Sequence, residues 1–372
     1  MAICSFLSRR SRSPPKPTPT NKMGTPEFTL AAAEKQAGRK AWAYRQFIGK
    51  TPLVDKKDAE QVAGKTAIVT GSNIGLGLET ARQLLDLGVA RLIMAVRTVS
   101  KGEKARENLL AGRKDFKGEI EVWEIDMLSY DSIQKFAERT KTLDRLDIAI
   151  LNAGSYRAFE EFHSSTGYED SIQVNYLSTI FLSILLLPIL KEKAQTKPGR
   201  LTIVSSDTAS WAKFEERKER PLLAFYKKQT DPKNWNHAER YATSKLLGQL
   251  GVSKLVEKVP SSDVVLNLVN PGLCYGTEIV RDGDGHFLGT LYRLGFRALG
   301  KPAPVGARSI VHAGVSFGEA SHGQYTEDGE IRPLAALLYK PEGKEIATQL
   351  WEETLAELPS APVQEALQAI SN

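Results

Sequence analysis

The sequence predicts an α/β fold: one doubly wound parallel sheet with helices on both faces. Three observations carry this. Short apolar or β-branched runs alternate with helical stretches of ten or more residues. Strand runs such as Ile148-Ala149-Ile150-Leu151 are apolar throughout, as a sheet covered on both faces requires. The first strand runs directly into a glycine-rich turn that opens a helix.

The first strand is read at 66–70 and its helix at 76–87. Further strands follow at 92–96, 119–125, 147–151, 201–205 and 264–268, separated by helical stretches. At 372 residues, 41% apolar and 25% charged, the chain has the composition of a folded globular protein. This excludes a fibre, a coiled coil and a wholly disordered chain. No apolar run reaches eighteen residues, so no transmembrane span is expected. The longest apolar stretch, 179–190, reads as a buried core helix.

Charge is concentrated at the head. Residues 1–50 hold ten Lys/Arg against Glu27 and Glu34, which is +8 of a total of +6, so the body is −2. A basic head on a near-neutral body gives no reason to expect a nucleic-acid partner. Residues 1–28 read as a disordered basic tail rich in Ser, Pro and Arg. Residues 29–61 form an N-terminal extension that carries Trp42 and Phe47. The main domain occupies 62–358, and 359–372 is a C-terminal tail with helical character. Cys4 and Cys274 are too few for a disulfide framework and point to a reducing compartment, hence the cytoplasm. The basic head keeps a mitochondrial or membrane-associated location open. His163, His237, His286, His312 and His322 lack metal-ligand spacing, so no metal is expected.

Gly71-Ser72-Asn73-Ile74-Gly75-Leu76-Gly77 lies between first strand and first helix. That placement suits a pyrophosphate. Gly71 turns the chain, Gly75 admits the phosphates to the backbone, and Gly77 permits close packing. The helix N-terminus offers free N–H groups to an anion. After the second strand the chain reads Arg97-Thr98-Val99-Ser100-Lys101, with no acid before Glu103. Arg97 and Lys101 suit a 2′-phosphate, which favours NADP(H) over NAD(H). Asp126 and Asn152, just past the third and fourth strands, lie where adenine and ligand contacts occur on such a sheet.

Among eleven tyrosines, only Tyr241 has a lysine four residues later, Lys245. On a helix the pair shares a face, and an ammonium beside a phenol lowers the phenol from its usual value of about 10. Ser205-Ser206 closes the fifth strand. Asn175 places an amide in an apolar helix, where it needs a partner. Pro271-Gly272 and Thr277 follow the sixth strand.

These motifs, in this order from Thr70 to Thr277, resemble the short-chain dehydrogenase/reductase superfamily of the classical type, in its fungal and retinol-dehydrogenase-like branch. The resemblance implies a Rossmann-type sheet of about seven strands and an NADP-binding catalytic domain. It implies a tetrad of Asn175, Ser206, Tyr241 and Lys245. Tyr241 would be the general acid/base, Ser206 the holder of the substrate oxygen, Lys245 the tuner of Tyr241 and ribose ligand, and Asn175 the holder of a relay water. Cofactor contacts would come from Gly71, Ser72, Asn73, Ile74, Gly75, Gly77, Arg97, Lys101, Asp126, Asn152, Tyr241, Lys245 and Thr277. Activity would be NADP(H)-dependent interconversion of a carbonyl and an alcohol on a small apolar molecule, such as a secondary-metabolite or lipid-like ketone. The alternative is a non-catalytic dinucleotide-sensing or partner-binding relative. Homo-oligomerisation stays open.

Two stretches are specific to this chain. The Ser206–Tyr241 separation exceeds the family's commonest one, and Trp211, Phe214, Phe225, Tyr226 and Trp235 lie between them. These aromatics either line the substrate site or pin the insertion. Residues 278–296, glycine-containing and then aromatic-rich, would cover the substrate as a lid by the same resemblance, or else pack on the core as an amphipathic helix.

Overall fold

The computed structural model describes residues 26–277, 295 and 297–371. The expected basic tail up to residue 25 and nearly all of the expected lid lie outside the described residues.

The centre is an eight-stranded sheet. Six strands are the expected ones: β1 (Thr66–Thr70), β2 (Arg91–Val96), β3 (Glu119–Glu124), β4 (Ile148–Leu151), β5 (Gly199–Val204) and β6 (Val264–Asn270). Two short ribbon strands, β7 (Cys274–Tyr275) and β8 (Lys301–Pro302), pair separately. β9 (Tyr325–Glu327) and β10 (Glu330–Arg332) complete the main sheet, in the order β10-β9-β6-β5-β4-β1-β2-β3. All pairings are parallel except β9 with β10. The sheet therefore has one strand more than the resemblance implies. The extra strand arises because Asp328 and Gly329, both at positive φ, close a two-residue hairpin.

Burial follows the period of two. Ala67, Val69, Leu92 and Met94 face one side, and Ile68, Ile93 and Ala95 face the other. On the first side lie α4 (Gly75–Asp86) and α5 (Val99–Leu110), numbered after α1 (Leu30–Ala37), α2 (Arg39–Phe47) and α3 (Lys56–Val62). On the second lie α6 (Tyr130–Thr140), α7 (Asp170–Ile172), α8 (Thr179–Lys193) and, past the short α9 (Leu222–Phe225), α10 (His237–Leu255). α11 (Ala303–Val315) returns to the first side. α12 (Pro341–Glu357) and α13 (Ser360–Ser371) extend the second.

α7, a π-helical turn (Gln173–Ser178) and α8 form one continuous helix from Asp170 to Lys193. By length and hydropathy it could cross a membrane, but 94% of its most apolar window is buried within the fold. It is a core helix, apolar all round because protein surrounds it.

The extension packs on the carboxyl end of the sheet. Thr29 caps α1 by accepting from the Ala32 amide at 3.2 Å. On α2, Gln46 donates through Nε2 to the carbonyls of Leu273 (3.0 Å) and Leu299 (2.9 Å), and its Oε1 accepts from the Leu273 amide (3.1 Å). Arg45 lies 2.8 Å from the Glu327 carboxylate, with both side chains buried. Phe47 stays 55% exposed, because the aromatic contact with the body is made by Trp42.

Removing one member of a buried ion pair leaves the other charge uncompensated, at about 3–5 kcal/mol. Arg45→Ala should lower the free energy of unfolding by that amount in urea melts. A loss under about 1 kcal/mol, the range of an exposed pair, would remove Arg45 as the anchor of the extension.

Candidate active site

Parallel strands present their carboxyl ends on one edge, and a crevice opens where the order reverses, here between β1 and β4. Along that edge runs a cleft of about 460 Å³. Residues following β1 to β6 line it in turn: Gly71, Arg97, Asp126, Asn152, Ser206 and Pro271.

At the phosphate end, Gly71 turns the chain at φ +65° and α4 starts at Gly75. A Cβ on Gly77 would stand 2.3 Å from the Gly71 carbonyl oxygen and 2.6 Å from Asn152 Nδ2, so only glycine fits. Ile74, the N-cap of α4, gives no side-chain acceptor to the first-turn amides. A narrow glycine cradle below a helix N-terminus uncapped by a side chain can take a pyrophosphate. Asn73, Gly75, Arg97, Lys101 and Thr277 all line the cleft, and Arg97 and Lys101 are exposed.

Two expected contacts differ in what their side chains offer the cleft. Ser72 is fully buried, away from the cleft lining. The Asn152 amide donates to the carbonyls of Thr70 (3.0 Å) and Gly71 (3.3 Å), so it braces the loop. Asp126 lines the cleft and accepts from the Leu128 amide at 3.0 Å.

At the reacting end, β5 stops at Val204 and the two serines diverge. Ser205 also lines the cleft, but its Oγ accepts from Gln249 Nε2 (3.4 Å). Ser206 Oγ lies on the cleft with Tyr241 and accepts from the Thr208 amide (3.2 Å) and hydroxyl (2.9 Å). The structure thus brings Ser206, Tyr241 and Lys245 together on the cleft. The Tyr241 ring packs against Tyr156, centroids 5.0 Å apart, and Lys245 Nζ lies 5.7 Å from the Tyr241 ring centre. Asn175 is buried in the π-helical turn, off the cleft lining. Its amide donates to the Ser155 carbonyl (2.7 Å) and Ser244 Oγ (2.9 Å), and its oxygen accepts from the Ser155 amide (2.8 Å). The partner that a buried amide needs is therefore the Ser155 backbone.

The electrostatics correct one expectation. Tyr241 is raised, not lowered: burial of the phenol dominates, the neighbouring Asp207 carboxylate adds to it, and the Ser206 hydroxyl opposes both. Lys245 spends its ammonium on the Val204 carbonyl at 3.0 Å and is itself lowered to about 8 by burial. The phenol is accordingly held neutral, in the form that donates a proton.

The insertion after Ser206 divides its aromatics. Trp211 lines the cleft. Phe214 and Tyr226 are core, and Trp235 ties its Nε1 to the Ala158 carbonyl at 3.0 Å. Cys274 is buried, and burial pushes its thiol up to about 12, so it is inert filler. Among the described residues no group of His, Cys, Asp or Glu could hold a metal ion.

Sequence reasoning missed the contribution of the extension, which brings Trp42 to the cleft lining. It also missed the acids behind Ser206. Asp207 is raised chiefly by burial, with Arg45 opposing, and Asn270 bridges toward Glu327 with a 3.1 Å bond. Asn270 and Glu327 are 57 positions apart and Asp207 and Arg45 lie farther still, distances over which a single sequence carries no signal.

A fold and site of this kind define a nicotinamide-type oxidoreductase scaffold, and comparison with known proteins identifies the lineage. The family described as short chain dehydrogenase matches residues 65–215. The chain is 48% identical over 341 residues to the short-chain dehydrogenase fogG of Aspergillus ruber, covering 91% of this chain and 97% of the relative. It is 45% identical over 312 residues to the short chain dehydrogenase/reductase mfmJ of Annulohypoxylon moriforme, covering 82% and 88%. The chain therefore belongs to the short-chain dehydrogenase/reductase family. Its fold matches the Pseudomonas aeruginosa RhlG/NADP active-site complex with TM-score 0.53, 22% identity and coverage of 73% and 98%. Salutaridine reductase from Papaver somniferum matches with TM-score 0.52, 20% identity and coverage of 70% and 99%.

Glu327 gives a pH prediction. Burial raises it to about 7 against the Arg45 attraction. The folded state then binds more protons than the unfolded one between the ordinary carboxylate range and pH 7, so this group's stabilising contribution falls as pH rises through that window. Unfolding free energies of the wild type and Glu327→Gln, measured from pH 5 to 8, should shift in favour of the variant as pH rises. A constant difference would show that Glu327 titrates normally.

Proposed function

We propose that this protein is an NADP(H)-dependent oxidoreductase that interconverts a carbonyl and an alcohol on a small apolar molecule, with Tyr241 as proton donor and acceptor. The observation that carries this reading is the half-buried Tyr241 phenol beside Ser206 on a cleft that continues to a glycine cradle. When bound, the dinucleotide supplies or accepts the hydride. The α4 amides, Gly71 and Gly75 hold its pyrophosphate, and Thr277 closes over that loop from the far side. Arg97 and Lys101 would hold the 2′-phosphate and Asp126 the adenine amino group. The RhlG complex includes NADP, which supports the same cofactor here.

For the chain's own residues the steps are plain. Ser206 Oγ and the Tyr241 hydroxyl hold the substrate oxygen. In reduction, negative charge develops on that oxygen and the Tyr241 O–H delivers a proton to it. Lys245, a helical turn further along α10 and held on the Val204 carbonyl, faces the same cleft, where its ammonium would meet the ribose of the dinucleotide. Asn175 keeps the Ser155 backbone at the floor of the site. A binding-only relative would have no use for Ser206, Tyr241 and Lys245 on one cleft, and this favours the catalytic reading.

Tyr241→Phe should remove turnover by two to four orders of magnitude while NADPH still binds, as followed by its fluorescence. A near-normal kcat would overturn the mechanism. Arg97→Ala should weaken NADPH roughly ten- to a hundred-fold, the worth of one charge-assisted contact, and leave NADH nearly unchanged. Titrations of both dinucleotides check this, and equal losses would take Arg97 out of the phosphate site.

A further inference from the structure

The substrate end of the cleft has a wall that lies outside the residues matched by the family. Trp42, on α2 of the extension, lines the same cleft as Ser206, Tyr241 and Trp211. Its ring meets Trp211 edge to face at 5.9 Å, and Phe47 at 5.8 Å. Trp211 is fixed in turn, because its Nε1 donates to the Ala37 carbonyl at 2.8 Å. Both indoles remain partly open, with Trp211 41% exposed. The helix that carries Trp42 does not drift, since Gln46 clamps both edges of the Leu273 peptide and Arg45 is buried against Glu327. Two pre-oriented indoles beside a catalytic tyrosine offer an apolar, flat surface that water covers poorly. Pre-organisation also lowers the ordering cost of binding.

We infer that Trp42 is a specificity-determining residue of the active site, and that with Trp211 it selects carbonyl substrates on a flat, apolar and preferably aromatic skeleton. The inference rests on the reading of the cleft as a carbonyl site and adds the chemical class of the skeleton. The ring contacts of Trp42 are with Trp211 and Phe47. Its contribution is contact area with the part of the substrate remote from the carbonyl.

Two methyl ketones that differ only in skeleton test this: 2-acetylnaphthalene and butan-2-one. Binding of each to the full chain with saturating NADP+ is measured by calorimetry, and turnover by NADPH oxidation. The wild type should bind the naphthyl ketone at least tenfold more tightly. Trp42→Ala should weaken the naphthyl ketone at least tenfold, leave butan-2-one and NADPH within twofold, and Trp42→Phe should restore most of the loss. Trp42→Leu, which keeps apolar volume against Phe47 and Trp211, serves if the alanine variant fails to fold. Equal loss for both ketones, loss of NADPH affinity, or no wild-type preference for the naphthyl ketone would overturn the assignment. Selective naphthyl binding that Trp42→Ala abolishes, without any NADPH oxidation by the wild type, would uphold it and fail the reductase reading instead.

Discussion

The structure depends on a sheet that must be covered on both faces. Parallel strands leave no face for water, so every residue of β1, β4 and β6 is buried. Thr202 and Asn267 are tolerated inside the sheet because they hydrogen-bond each other at 2.8 Å, and six strand ends on one edge give one row of loops. The glycine cradle, Arg97, Asp126, Asn152, Ser206 and Pro271 share a cleft for that reason. Chemistry is confined to the edge because the interior has no room for it.

The same exclusion of water sets the proton chemistry. A phenol, an ammonium and two carboxylates crowd the region around Ser206, and burial works against the charged form of each. Arg45 is the cation that keeps the acids tolerable there, and it arrives from the extension. The reacting end is thus an electrostatic unit larger than the four tetrad residues, with a boundary that runs through α2.

Much of this was legible in the sequence, for physical reasons. The Ile148–Leu151 run and the loop from Gly71 to Gly77 are local patterns, and each maps onto one element. The Tyr241/Lys245 spacing is also local, and both residues stand on α10 at the cleft. The sense of the Tyr241 perturbation was not legible. Spacing reports a lysine nearby, but not that its ammonium binds the Val204 carbonyl or that Asp207 faces the phenol. Ser206 over Ser205 followed from the family resemblance, but the Gln249 bond that occupies Ser205, from forty-four residues away, left no local signal. The antiparallel β10 hangs on Asp328-Gly329, a turn signal visible in the sequence. Its strands are three residues each, too short for a periodic pattern to register. Trp42 as cleft wall rests on contacts between the head of the chain and its far end.

Those contacts have a consequence in the order of synthesis. α2 leaves the ribosome well before its partners Leu273, Leu299 and Glu327. Gln46 and Leu299 are separated by 253 positions. During translation Trp42 and Phe47 must wait, undocked, while the whole sheet assembles beneath them. Closure of so long a loop is entropically late, so the cradle and the tetrad take shape before the substrate wall. A chain stopped short of residue 327 would carry its catalytic residues without the wall that selects what reaches them.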